Sequence, residues 1–179
     1  MTDTALLVVD AQTALVNEHL YQRERFVRNV SALIAAARAN GVRVIYIRHD
    51  DGAESPLTPG KPGFAIYSGF APRPGEPIFD KTVNSPFRDT GLTGFLRENG
   101  IRTVAVCGLQ TDYCIDAAVK CGFEHGFHMI VPQGANSTFD NEYLTAAQTV
   151  QYYNEFLWNG RYAECISTDE AIRRIGGRG

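Results

Sequence analysis

The chain has 179 residues, 44% of them hydrophobic and 21% charged, with a formal net charge of −3. That length suits one domain over residues 1–179, burying roughly 70% of the surface its unfolded form exposes without help from a disulfide or a structural metal. The slight acidity offers no electrostatic footprint for nucleic acid or an anionic membrane, which leaves small-molecule chemistry or protein contact.

The opening residues carry no basic region, and the apolar run 5–9 ends at Asp10, too short for a signal or membrane-spanning segment. A cytoplasmic location follows as the expectation, and with it four reduced cysteines. Residues 5–9 read as a strand buried on both faces, and Val27, Val30, Leu33, Ile34 and Ala37 recur at helical spacing over 24–40, with Gly41 closing the helix. Residues 42–47 read as a second strand. The stretch 50–77 gathers most of the eight prolines and several glycines, and predicts a long loop of the kind that is functional or mobile.

Order resumes with a strand at 78–82, a helix at 91–98, a strand at 103–106 and a helix at 111–125. A strand at 127–131, an amphipathic helix at 141–158, a strand at 163–167 and a helix at 169–175 complete the series, and 176–179 reads as a frayed tail. Strands alternating with helices predict an α/β fold: a three-layer αβα sandwich around a mainly parallel, Rossmann-like open sheet of about six strands. In such a sheet the ligand crevice lies at the carboxyl ends of the strands. Asp10 ends the first strand, His49 and Asp50 follow the second, Lys81 stands near the end of the third and Cys114 follows the fourth, so these side chains should meet on one rim. Asp10-Ala11-Gln12-Thr13 occupies the first turn where a dinucleotide-binding protein has a glycine-rich one, and no nucleotide cofactor is expected.

Cys114 begins a helical pattern after the apolar run 104–107 and Gly108. The first turn of a helix offers unpaired N–H groups and the positive end of the dipole, which favour a thiolate and can hold an oxyanion. A cysteine there is either a nucleophile or a small buried hydrophobe. Nucleophilic use needs a base, which Asp10 supplies, and a cation to hold the charges together, which Lys81 supplies.

Val-Val-Asp-Ala-Gln ending at Gln12, Phe-Asp-Lys-Thr-Val-Asn-Ser-Pro-Phe around Lys81, and Gly-Leu-Gln-Thr-Asp-Tyr-Cys ending at Cys114 resemble the isochorismatase-like cysteine hydrolases, a group that includes nicotinamidases and N-carbamoylsarcosine amidases. The resemblance extends through residues 134–140 and 167–170. It implies a catalytic triad of Asp10, Lys81 and Cys114, a thioester on Cys114, a cis peptide at Leu109-Gln110, an oxyanion hole from the Gln110 and Cys114 amides, and a homo-oligomer, dimer or tetramer. Nicotinamidases carry Asp-x-His with a further histidine as metal ligands, whereas Arg48-His49-Asp50 is followed by no histidine until His125, so no metal is expected here. Isochorismate-cleaving members lack the cysteine, which turns the expectation toward an amide, carbamoyl or similar C–N bond of a small molecule. Gln12, His49, Phe64 and Tyr67 are the candidates for touching substrate. Phe64, Tyr67 and Phe70 could wall a pocket or pack on a neighbouring subunit, and the aromatic run 152–158 suggests a subunit interface. A thiol redox sensor and a catalytically silent binding module on the same scaffold are the competing readings.

Overall fold

Successive side chains of a strand point to opposite faces, and β1 (Thr4–Val9) fills both. Leu6 and Val8 pack with Phe26, Val30 and Leu33 of α1 (Arg23–Ala39), while Ala5, Leu7 and Val9 join the cluster on the other face. The computed structural model describes residues 3–177. It continues with β2 (Arg43–His49), β3 (Ile78–Lys81), α2 (Leu92–Glu98), β4 (Thr103–Leu109), α3 (Asp116–Glu124), β5 (His128–Gln133), β6 (Asn136–Ser137), α4 (Ala146–Gln151), β7 (Glu164–Ser167) and α5 (Thr168–Ile175).

The strands run in the order β3-β2-β1-β4-β5-β7, with β6 beside the end of β4 and every strand pairing parallel. Helices α1 and α5 cover one face; α2, α3 and Trp158 cover the other. This is the expected three-layer α/β sandwich. It has seven strands rather than about six because β6, only two residues long, is too short to register as a periodicity. The order reverses between β1 and β4, which opens the crevice at their carboxyl ends.

Two helices depart from their sequence pattern. The segment 111–125 begins as a wide π turn, Thr111–Ile115, before α3. The segment 141–158 becomes helical only at Ala146: Asn141 Oδ1 accepts from the N–H groups of Tyr143 and Leu144, and Thr145 forms a reciprocal capping box with Gln148. It then widens over Tyr152–Leu157 and delivers Trp158, fully buried, into the core. Of the expected tail, Gly177 closes a turn on the Arg174 carbonyl, and residues 178–179 lie outside the described residues.

Residues 50–77 contain two short 3-10 turns, Pro62–Phe64 and Ser68–Phe70, and fold back on the start of the chain. The Thr13 N–H donates to the Ala65 carbonyl at 2.8 Å and the Tyr67 N–H to that of Ala11 at 2.9 Å. Phe64 and Phe70 are thereby buried. No helix among the described residues is long and apolar enough to cross a membrane.

Candidate active site

The ends of β1 and β4 approach so closely that only glycine fits at Gly108, where φ is +128° and an added Cβ would stand 1.9 Å from the Val9 carbonyl oxygen. Asp10 follows at once with φ +48°, a left-handed conformation uncommon for a residue bearing a Cβ, and its N–H donates to the Ile47 carbonyl at 3.0 Å. This turn aims its carboxylate across the strand ends.

Lys81 meets it there. Its ammonium donates to Asp10 Oδ2 at 2.6 Å, His49 Nδ1 at 2.8 Å and Cys114 Sγ at 3.2 Å. Both members of the ion pair are buried, with side-chain exposures of 0% and 1%. Asp10, His49 and Cys114 together resemble a metal-ligand set, but the lysine nitrogen sits among their donor atoms as the shared cation. The other carboxylate oxygen, Asp10 Oδ1, is buried without a partner among the described residues.

The electrostatics differ from the sequence expectation of a thiol with lowered pKa. Burial, and after it the negative charge of Asp10, push the Cys114 thiol up to about 12 against the pull of Lys81. Burial likewise raises the Asp10 carboxyl above its usual range, opposed by Lys81. Burial, then the Lys81 charge, hold His49 below the ordinary histidine value. A neutral imidazole accepting at Nδ1 must carry its hydrogen on Nε2, so Lys81 fixes the His49 tautomer. The resting site is therefore a protonated thiol beside a carboxylate with an open oxygen.

The Cys114 segment is fastened from below. Thr111 Oγ1 donates to Asn136 Oδ1 at 2.8 Å, and Asn136 and Asn154 exchange amide hydrogen bonds at 2.9 and 3.0 Å. Thr138 Oγ1 donates to Asp112 at 2.6 Å, and the Trp158 indole donates to Asp116 at 2.9 Å. The Leu109-Gln110 peptide is cis, as the family resemblance implies.

An open cleft of roughly 340 Å³ leads to the sulfur, with His49, Asp51, Asn84, Gln110, Tyr113 and Cys114 in its lining. Three expected substrate contacts do not line it. Gln12 is fully buried and spends its amide on the backbone, donating to the His49 and Phe64 carbonyls and accepting from the His49 N–H. Phe64 packs under the Arg48 guanidinium, 4.4 Å from ring centroid to charge. Tyr67 stacks edge-on against Phe70 at 5.3 Å and bonds to Arg23. His49 does line the cleft, joined by Asn84, whose Oδ1 lies 3.7 Å from Cys114 Sγ. Asn84 stands three residues beyond Lys81 in a motif quoted above; its position just past a strand end was the signal.

A parallel sheet of this order with a Cys, a Lys and an Asp joined at its switch point defines a recognisable class. The chain belongs to the isochorismatase family: residues 4–169 match its domain model. It is 33% identical over 168 residues to a streptothricin hydrolase of Streptomyces noursei, a match covering 93% of this chain and 60% of that protein, so the chain spans less than two thirds of that relative's length. It is 24% identical over 200 residues to the ureidoacrylate amidohydrolase of Azorhizobium caulinodans, covering 90% of this chain and 88% of that one. An isochorismatase-family structure from Chromobacterium violaceum superposes with a TM-score of 0.90 at 28% identity, covering 98% and 95% of the two chains.

Proposed function

We propose that this protein hydrolyses a C–N bond, amide or carbamoyl, of a small molecule through a thioester on Cys114. One observation carries the reading: Lys81 joins Asp10 and Cys114 in a single buried cluster while Asp10 Oδ1 stays free to accept a proton. Asp10 takes the thiol proton as the sulfur attacks the carbonyl carbon, and the Gln110 and Cys114 amides receive the oxyanion. Asp10 then passes that proton to the leaving nitrogen, the C–N bond breaks and the amine departs. Water enters, gives a proton to Asp10 and adds to the thioester. Rupture of the C–S bond frees the acid, and the sulfur recovers its proton.

A carboxyl whose proton affinity is raised by burial suits this shuttle better than one at its ordinary value. The hydrolase and amidohydrolase names of the relatives support the same reaction class. A redox role gains less support, because it gives the Asp10–Lys81 pair no task; of its two candidate partner thiols, Cys107 is fully buried in the cluster on the opposite face of the sheet, while Cys121 packs on the same face as Cys114. The test is ammonia or amine release from a panel of primary amides, N-carbamoyl compounds and lactams. Release by the wild type with loss of at least about 10³-fold in Cys114→Ala is expected; equal rates in the two would overturn the proposal.

A further inference from the structure

Two of the charged side chains at the cleft cancel: Asp10 and Lys81 are buried and bonded to each other at 2.6 Å. What the cleft then presents to an incoming molecule is Asp51, whose side chain is 61% exposed and whose Oδ1 lies 3.7 Å from the Nε2 edge of His49. Neighbouring Asp50 is turned away into its own loop, where Oδ1 accepts from the Gly52 N–H at 2.9 Å. Apart from Lys81, buried beneath the floor and paired with Asp10, no lysine or arginine among the described residues lines the cleft. Tyr113, half exposed, offers an aromatic face in the same lining, and Leu15 and Leu57 add apolar surface.

A carboxylate with an aromatic ring and no opposing base is the chemistry that receives a cation. An anionic substrate would meet Asp51 with nothing to neutralise it. Building on the hydrolase reading only in taking Cys114 as the reacting atom, we infer that the substrate is an amide carrying a positive charge, an ammonium or guanidinium type of group, which Asp51 holds at the mouth of the cleft while the scissile carbonyl reaches Cys114. Asp51 is thus a specificity determinant.

The experiment uses methanethiosulfonate reagents of three charges on the intact protein: trimethylammonioethyl, neutral methyl and sulfonatoethyl. The rate at Cys114 is read by peptide mass spectrometry and divided by that of each reagent with free 2-mercaptoethanol. A single carboxylate near the path should favour the cationic over the anionic reagent by about tenfold, less at high salt. Asp51→Asn should bring the ratio near that of the free thiol, and Asp51→Lys should reverse it. A wild-type ratio matching the free thiol, or one that Asp51→Asn leaves unchanged, overturns the inference while the hydrolase reading stands. If Cys114 takes none of the three reagents, the cleft delivers no cation to the sulfur and the inference falls, while the amide panel still decides the hydrolase reading, because the resting thiol is protonated.

Discussion

A lysine ammonium has three N–H groups, and Lys81 spends them on a carboxylate, an imidazole and a thiol. Removing that cation leaves Asp10 as an uncompensated buried charge. Lys81→Ala should therefore cost about 3–5 kcal/mol, read by urea denaturation, and Lys81→Met should cost nearly as much despite filling the space. His49 supplies the pH dependence. Its folded pKa lies below the unfolded value, so the unfolded chain binds more protons as pH falls through that window, and stability should drop. Acid also removes the acceptor that Lys81 uses. His49→Gln should flatten the fall in melting temperature on acidification below about pH 6.5; an unchanged slope would contradict the assignment.

Asp10, Lys81, His49 and Cys114 were legible as a group because strand ends of a parallel sheet converge whatever the details of the loops. Gln12, Phe64 and Tyr67 were not, since the direction of a loop side chain depends on what the loop packs against. The raised thiol pKa was missed for a related reason: helix-end polarity can be read locally, whereas burial, which dominates Cys114, is a property of the assembled site.

At the scale of elements, the approach of β1 to β4 is the tightest constraint. Gly108→Ala would drive a methyl into the Val9 backbone, and neither strand can yield without displacing Asp10. Loss of soluble folded protein, or destabilisation beyond about 4 kcal/mol, is the expected outcome in a circular dichroism melt. Thr145→Ala should be mild by comparison, about 1 kcal/mol from a lost cap. Element order, the layers and most boundaries followed from periodicity. The wide turns at Thr111–Ile115 and Tyr152–Leu157 did not, because their register is set by the Asn136–Asn154 amide pair and by the bond from Trp158 to Asp116, contacts between segments distant in the chain.

For the whole molecule, the aromatic run 152–158 divides in two. Trp158 belongs to the core, whereas the Tyr152 and Phe156 rings lie tilted against each other at 5.3 Å with Phe156 71% exposed. Self-association through this face is our expectation: sedimentation should give a dimer or tetramer, and Phe156→Glu should shift it toward monomer. In the proposed reaction Asp10 receives a proton first from Cys114 and later from water. The decisive experiment reacts p-nitrophenyl acetate with the wild type and with Asp10→Asn, following nitrophenolate release and locating acetyl groups by peptide mass spectrometry. Acetylation confined to Cys114 with turnover is expected in the wild type, and slower acylation with a persisting acetyl-Cys114 in the variant. Acetyl groups scattered over surface lysines, or equal turnover in both proteins, would contradict that reaction.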